Sequence, residues 1–381
     1  MKIKFTAILF LLFAVYAQAQ TFFTSVPEIS NVTSIIDWKD EVWIATYGKG
    51  IYMYDRATEK WETYSSQYKN IESDFIYCVA VSDDYIWAGT SDGLITITRN
   101  NNQWRKRKFA AGGEYGNWIR ALAYSSTEQR LYIGRFKNLS TFNVRTQRFD
   151  DYDLTYQGDA QSNTIKTIDI ENDRWVWVGT ESGLYKYDNT LSIESKNSFT
   201  YYNNKSGSFR GDGESVSISR LLINKSFVWV GTEEFVTRER PEFNLGGLYR
   251  FNRRATWDKF DTKTGLPANG IRALALTGNY IWISVYEFDI ENKFEKSKGL
   301  ILINRLTGEP FPIEMEEIKL GTNNITAMYF DGKYLWLGTE VGLWQVRIFN
   351  PFAQWAADIN TKNSVKKNDK ANQGTTGRNK N

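Results

Sequence analysis

Hydrophobic and polar positions alternate along most of the chain in short runs broken by turn residues, and one run keeps returning. Its clearest copy is Trp175-Val176-Trp177-Val178-Gly179-Thr180-Glu181-Ser182-Gly183-Leu184-Tyr185-Lys186-Tyr187-Asp188. A period of two marks strands, and the Ser-Gly step between the two alternating halves marks a turn. Close copies centre on Trp43, Trp87, Trp229, Trp282 and Trp336, and Tyr132 fills the slot once. The seven anchors are 44, 45, 45, 52, 53 and 54 residues apart. A period near 45 residues is that of a propeller blade, a four-stranded antiparallel sheet.

The four strands of a blade can be placed on the pattern. An inner strand follows starts such as Asn117-Trp118-Ile119-Arg120, Asn163-Thr164-Ile165-Lys166, Asn269-Gly270-Ile271-Arg272 and Asn323-Asn324-Ile325-Thr326. The Trp-x-Gly-Thr segment is the second strand, and its alternation puts the large ring on one face. A tight turn then uses Gly50, Gly93, Gly183 or Gly342, where a left-handed backbone suits glycine, and Asn138 stands in once. A Gly-Leu-Tyr-like third strand follows, and a fourth ends on aromatic pairs such as Trp61 and Tyr64. Thr21–Thr24 resembles the end of a fourth strand and is expected to pair with the last blade, sealing the ring. The prediction is an all-β chain: a single seven-bladed β-propeller over residues 21–360.

Composition narrows the chemistry. The 381 residues include no His and one Cys, Cys78. That excludes Ser-His-Asp or Cys-His catalysis, H-E-x-x-H zinc sites, phosphoaccepting histidines and a disulfide framework. Aromatic residues make up 15%, yet nine of the 14 Trp fall in second- or fourth-strand slots, where they pack blade against blade. No sequence feature calls for a cofactor or a bound metal.

The two ends alter the charge argument. Residues 1–20 read as a secretory signal peptide: Lys2 and Lys4, an apolar run over 8–15, then Ala17-Gln18-Ala19 as cleavage pattern. The run is too short to span a bilayer, and no cysteine follows for a lipid anchor. Residues 361–381 carry a net +5 and one aliphatic, Val365, which predicts a disordered basic tail. The whole chain is +3, so without the leader's two lysines and the tail, residues 21–360 are near −4. A mildly acidic fold excludes nucleic acid as the main partner.

The Trp-x-Gly-Thr-x-x-Gly-Leu-Tyr-x-Tyr-Asp pattern over residues 31–349 resembles the two-component regulator propeller repeat family. That family supplies periplasmic sensor regions of hybrid two-component systems, especially in Bacteroidetes, and stand-alone secreted propellers. The resemblance implies a β-propeller that senses a ligand or binds a protein outside the cytoplasm. The chain has no kinase segment and no histidine to phosphorylate. It therefore reads as the sensing architecture without the signalling chemistry.

In a propeller, inner-strand starts and the turns between strands two and three share one face around the channel. Thr232 to Gly247 and Ser284 to Gly299 each span 15 positions where Thr180 to Gly183 spans 3, so two adjacent blades carry insertions on that face. Long loops on a rigid scaffold are where binding residues tend to be placed. The first holds Arg238, Phe235 and Phe243 among acids, the second Tyr286, Asp289 and Glu291. At the channel mouth the candidates are Tyr115, Trp118, Arg120, Lys166, Arg220 and Arg272, a basic ring suited to carboxylate or sulfate unless neighbouring carboxylates pair with it. Asp150, Asp151 and Asp153, or Asp289 with Glu291, offer oxygens to Ca²⁺, although neither set matches an EF-hand. Arg210-Gly211-Asp212 spells an adhesion tripeptide, too short to stand alone. The resulting expectation is a secreted or periplasmic, monomeric, non-enzymatic propeller that binds a glycan or a protein partner. A polysaccharide lyase or hydrolase and a structural envelope component are the alternatives.

Overall fold

The computed structural model describes residues 23–348 apart from 27, 70, 114, 196 and 314–319; the expected leader and basic tail lie outside the described residues. Seven four-stranded antiparallel sheets follow one another along the chain and form a seven-bladed β-propeller. Blade four shows the plan: Ile165–Glu171 innermost, then Trp175–Thr180, Leu184–Asp188 and Phe199–Tyr202 outward. The inner strands line a central channel.

Each repeat residue has a physical task. Trp43, Trp87, Tyr132, Trp177, Trp229, Trp282 and Trp336 are all fully buried, and each lies in a different one of seven apolar clusters. Every cluster joins two blades: Trp177 of blade four packs with Val216, Ile218 and Val228 of blade five, and Trp336 of blade seven with Val32, Val42 and Ile44 of blade one. The glycine of Trp-x-Gly-Thr makes room for the next blade. A Cβ on Gly134 would meet Ile165 Cγ2 at 2.5 Å, and one on Gly231 would meet Ile271 Cγ2 at 2.6 Å. The threonine closes the hairpin: Thr46, Thr90, Thr180, Thr232 and Thr339 each donate from Oγ1 to the carbonyl of the turn glycine at 2.8–2.9 Å.

Gly50 (φ 79°), Gly93 (φ 122°) and Asn138 (φ 74°) hold the left-handed turn conformation. Gly183 (φ 158°) sits at its edge, and there glycine is needed because a Cβ would lie 2.5 Å from the Tyr202 carbonyl oxygen. Gly342 is not left-handed, contrary to expectation. The N–H groups of Val341 and Gly342 both turn onto Thr339 Oγ1, so the threonine shapes that turn. The ring is closed by the strand Phe23–Val26, which pairs with Leu343–Arg347 from Phe23↔Val346 to Val26↔Leu343; of the segment expected to do so, residues 21 and 22 lie outside the described residues.

Candidate ligand-binding site at the channel mouth

Near its start, the inner strand of six blades shifts register by one residue against the second strand. A bulge of this kind turns one side chain out of the pleat. The bulged residues are Thr33, Arg120, Lys166, Ser219, Arg272 and Thr326, and Tyr77 takes the equivalent place just before Cys78–Val81 in blade two. All seven line one cavity of about 330 Å³ at the channel mouth. A second ring of side chains comes from the residue after each Trp-x-Gly-Thr segment: Tyr47, Ser91, Phe136, Glu181, Glu233, Tyr286 and Glu340. Together the two rings determine the chemistry of the mouth.

Blades one to three make it aromatic. Tyr47 packs edge-on to Phe75 (4.9 Å) and Tyr77 (5.5 Å); Tyr77 reaches Trp118 (5.5 Å). Trp118 stacks on Phe136 with planes 4° apart, and Phe136 touches Tyr115 at 5.3 Å. The result is an unbroken crescent of six rings, of which Phe75, Tyr47 and Tyr115 are 51%, 46% and 53% exposed. Soluble proteins seldom leave that much contiguous ring surface open without use for it. Arg135 supports the crescent from below. It occupies the threonine slot of blade three, is fully buried, and donates to the carbonyls of Ala111 (2.7 Å) and Gly116 (2.8 Å) in the loop that carries Tyr115.

Blades four to six, with Arg120 of blade three, make the mouth ionic. Arg120 pairs with Glu181 (3.0 Å), Lys166 with Glu233, and Arg272 with Glu295 (2.6 Å). Burial pushes the Lys166 ammonium below its ordinary pKa, against the pull of Glu233. Burial alone would raise Glu233, but Lys166, Ser217 and Arg120 outweigh it and hold the carboxyl low. Burial, then Glu233 and Glu295, drive Tyr286 far above the usual phenol range. Arg220 has carbonyl partners only, Ser219 O (2.8 Å) and Thr326 O (3.4 Å), among the described residues. Burial and neighbouring Arg272 depress its pKa. Three of the four predicted basic residues are thus neutralised in place, and Arg220 supplies the remaining positive charge. Trp118, Ser219 and Arg272 line the same cavity, and their Nε1, Oγ and Nε atoms lie buried beneath its surface without a hydrogen-bond partner among the described residues.

The two insertions are extended hairpins. Val228–Phe235 pairs with Asn244–Phe251, and Tyr280–Asp289 with Phe294–Asn304. Their bases give Glu233, Tyr286 and Glu295 to the mouth region. Glu234 ties the two together, accepting from Phe288 N (2.8 Å) and Asn269 Nδ2 (2.9 Å). Their tips stand away from it around a groove of about 550 Å³, where Phe235 meets Phe288 at 4.7 Å. Arg238 lies there, paired with Glu291 (2.5 Å), and is not brought to the mouth with the other candidates. Trp118, Arg120, Lys166, Arg220 and Arg272 do converge, with Tyr286 in the adjoining cavity and Tyr115 at the end of the crescent.

The weaker signals have structural partners. Asp212 of the Arg-Gly-Asp tripeptide accepts from Tyr249 Oη (3.0 Å) and pairs with Lys259 (3.2 Å), while Phe209 beside it is fully buried. Asp150 pairs with Arg148 and Asp151 with Arg135, and Asp289 caps Glu291 and Asn292. Among the described residues no group of three or more Cys, Asp or Glu is placed to hold a metal ion. Nor is any described helix long and apolar enough to cross a membrane. Sequence reasoning missed the carboxylates Glu181 and Glu295 and the rings Tyr47, Phe75, Tyr77 and Phe136, and met Glu233 only as one of the acids of the first insertion. For Tyr47, Phe136, Glu181 and Glu233 the signal was present as the column that follows Trp-x-Gly-Thr.

No family model and no curated protein matches the chain. Among solved structures, the extracellular domain of BT4673 from B. thetaiotaomicron, described both as a one component and as a hybrid two component system, aligns with TM-score 0.62 at 22% identity. The alignment covers 86% of this chain and 40% of that one, so this chain spans well under half of the neighbour's length. U3-55K aligns with TM-score 0.54 at 11% identity, over 86% of this chain and 98% of that one. Both show the propeller fold, and the first fits the resemblance of the repeats to the regulator-propeller family.

Proposed function

We propose that this is a non-enzymatic binding propeller working outside the cytoplasm, and that it holds a glycan at the channel mouth. The observation that carries the reading is the unbroken crescent of six rings beside a cavity to which Arg220 brings a positive charge with no carboxylate partner among the described residues. The crescent of rings next to it offers flat apolar faces of the kind sugars lie against, and Arg220 offers charge to a carboxylate or sulfate. The extracellular setting of the BT4673 neighbour supports a location outside the cytoplasm.

The mouth is badly arranged for glycosidic hydrolysis. That chemistry needs a carboxyl held protonated beside an ionised one. Glu233 is held low by Lys166, and the raised carboxyl nearby, Glu234, is occupied by Phe288 N and Asn269. One observation favours a protein partner instead: the groove between the hairpin tips, with Phe235, Ile290 and Phe294 each more than a third exposed nearby. Calorimetry against a panel of acidic and neutral oligosaccharides separates the readings. The mouth reading expects binding that Trp118→Ala, or Arg120→Ala with Arg272→Ala, abolishes while Arg238→Ala leaves it unchanged. New reducing ends or unsaturated products in the same mixtures would establish an enzyme. Loss of binding on Arg238→Ala alone would move the site to the hairpin tips.

A further inference from the structure

We infer that the ligand is a linear chain, and that it leaves the mouth along a groove over blades four and five into a second, hydroxyl-binding pocket at the rim. The inference rests on the glycan reading above and goes beyond it in length and direction. Three cavities carry it. The mouth cavity shares Glu233 with a second of about 210 Å³, and the second shares Gln161 and Phe243 with a third of about 360 Å³. Each neighbouring pair has lining residues in common, so the three lie in a row from the mouth to the rim.

The walls along that row are built before any ligand arrives. On one side Arg240 donates through Nε (2.9 Å) and Nη2 (2.6 Å) to Glu214 Oε2, and its guanidinium lies 3.7 Å over the ring of Phe243. On the other, Tyr156 N donates to Ser162 Oγ (2.8 Å) and Asp159 caps Gln161 N (3.0 Å), fixing the turn that presents Tyr156. The Tyr156 ring is 40% exposed and leans on Tyr201 at 4.7 Å. The side chains of Gln157, Gln161 and Lys205 also line the rim pocket and have no hydrogen-bond or ion-pair partner among the described residues. Apart from Tyr156 and Phe243 the lining is polar. An amide offers a donor and an acceptor side by side, which suits neighbouring hydroxyls, and one ring supplies a stacking face. An apolar peptide would find no matching floor. The mouth, with its excess cation, takes the charged unit, and the rim pocket takes hydroxyl-bearing units further along the chain.

The experiment is calorimetry on the folded chain with cello-oligomers of increasing length, dimer to octamer, that carry one terminal uronate, and a matched series of uncharged cello-oligomers. The expected result is an affinity that rises about tenfold or more with length, equivalent to about 1.4 kcal/mol. Tyr156→Ala with Gln161→Ala removes that gain and leaves the dimer unchanged. Gln157→Ala with Lys205→Ala, on exposed side chains, reduces the gain without touching the fold. Dimer binding with no gain on lengthening overturns the groove and leaves the mouth reading standing. Equal weakening of dimer and octamer by the rim variants also overturns it. Failure of both series to bind at any length overturns the mouth reading, and the groove with it.

Discussion

The two halves of the channel mouth use the same backbone positions for opposite purposes. In blades one to three, the bulge and post-threonine columns hold Tyr77, Tyr47 and Phe136, which join Trp118 in a continuous ring surface. In blades four to six, the same columns hold Lys166, Glu181, Glu233 and Arg272, which join into ion pairs. Arg120 stands at the border, its guanidinium 5.5 Å from the Trp118 ring and its charge on Glu181. The scaffold beneath does not change from one half to the other: one buried ring and one hairpin per blade. Two columns of the repeat can therefore be rewritten without altering the architecture that presents them.

The strongest challenge is to the claim of a common scaffold. Trp177→Ala beneath the ionic half and Trp87→Ala beneath the aromatic half should each cost about 3–5 kcal/mol. Denaturant unfolding measures both, and a large disparity would mean that the halves do not rest on equivalent supports. Next comes the ionic half itself. Glu233→Ala leaves Lys166, whose side chain is 8% exposed, without its carboxylate, and should cost about 3 kcal/mol, the low end for a broken buried pair since Glu233 is partly exposed. Replacing both by apolar residues of similar size should restore most of the loss; if it does not, the pair is more than a neutralising device.

A smaller effect separates the halves by pH. Asp169, on the inner strand of blade four, is pushed up to about 7 by burial, with Glu171 adding to the rise. Its unfolded value is near 3.9. Between those values the folded chain keeps a proton that the unfolded chain has lost, so stability is full below about pH 4 and declines as pH rises towards 7. Asp169→Asn should flatten that slope in thermal melts; an unchanged slope would place its origin elsewhere. The smallest effect lies in the crescent. A double-mutant cycle on Trp118 and Phe136 should give a coupling of about 0.5–1.5 kcal/mol, independent of salt. A salt-dependent coupling would mean that Arg120 carries the contact.

The fold was legible because the ring slot answers one steric demand in all seven blades, and the glycine and threonine slots do so in five each. Trp177 fills a gap between blades, and Gly179 stays small because a Cβ would meet Ile218 Cγ2 at 2.6 Å. Arg120, Lys166 and Arg272 were legible as mouth residues since each follows the isoleucine that opens an inner strand. Arg220 stands one step later, since blade five puts Ser219 in the bulge. Tyr77 was hidden because its blade starts Phe75-Ile76 and lacks the asparagine. Glu181 and Glu233 went unread as turn residues, although they neutralise the very cations the pattern revealed. Arg238 was singled out as part of the first insertion on loop length alone. A long hairpin reaches the site with its base or with its tip, and length does not say which.

The strand that closes the circle makes the last junction different in kind from the others. Phe23–Val26 is four residues long and comes from the opposite end of the described chain to the strand it pairs with, Leu343–Arg347, while Val26 packs on the apolar cluster between blades seven and one. The ring is therefore held shut by four residue pairs and the packing of Val26 rather than by chain continuity.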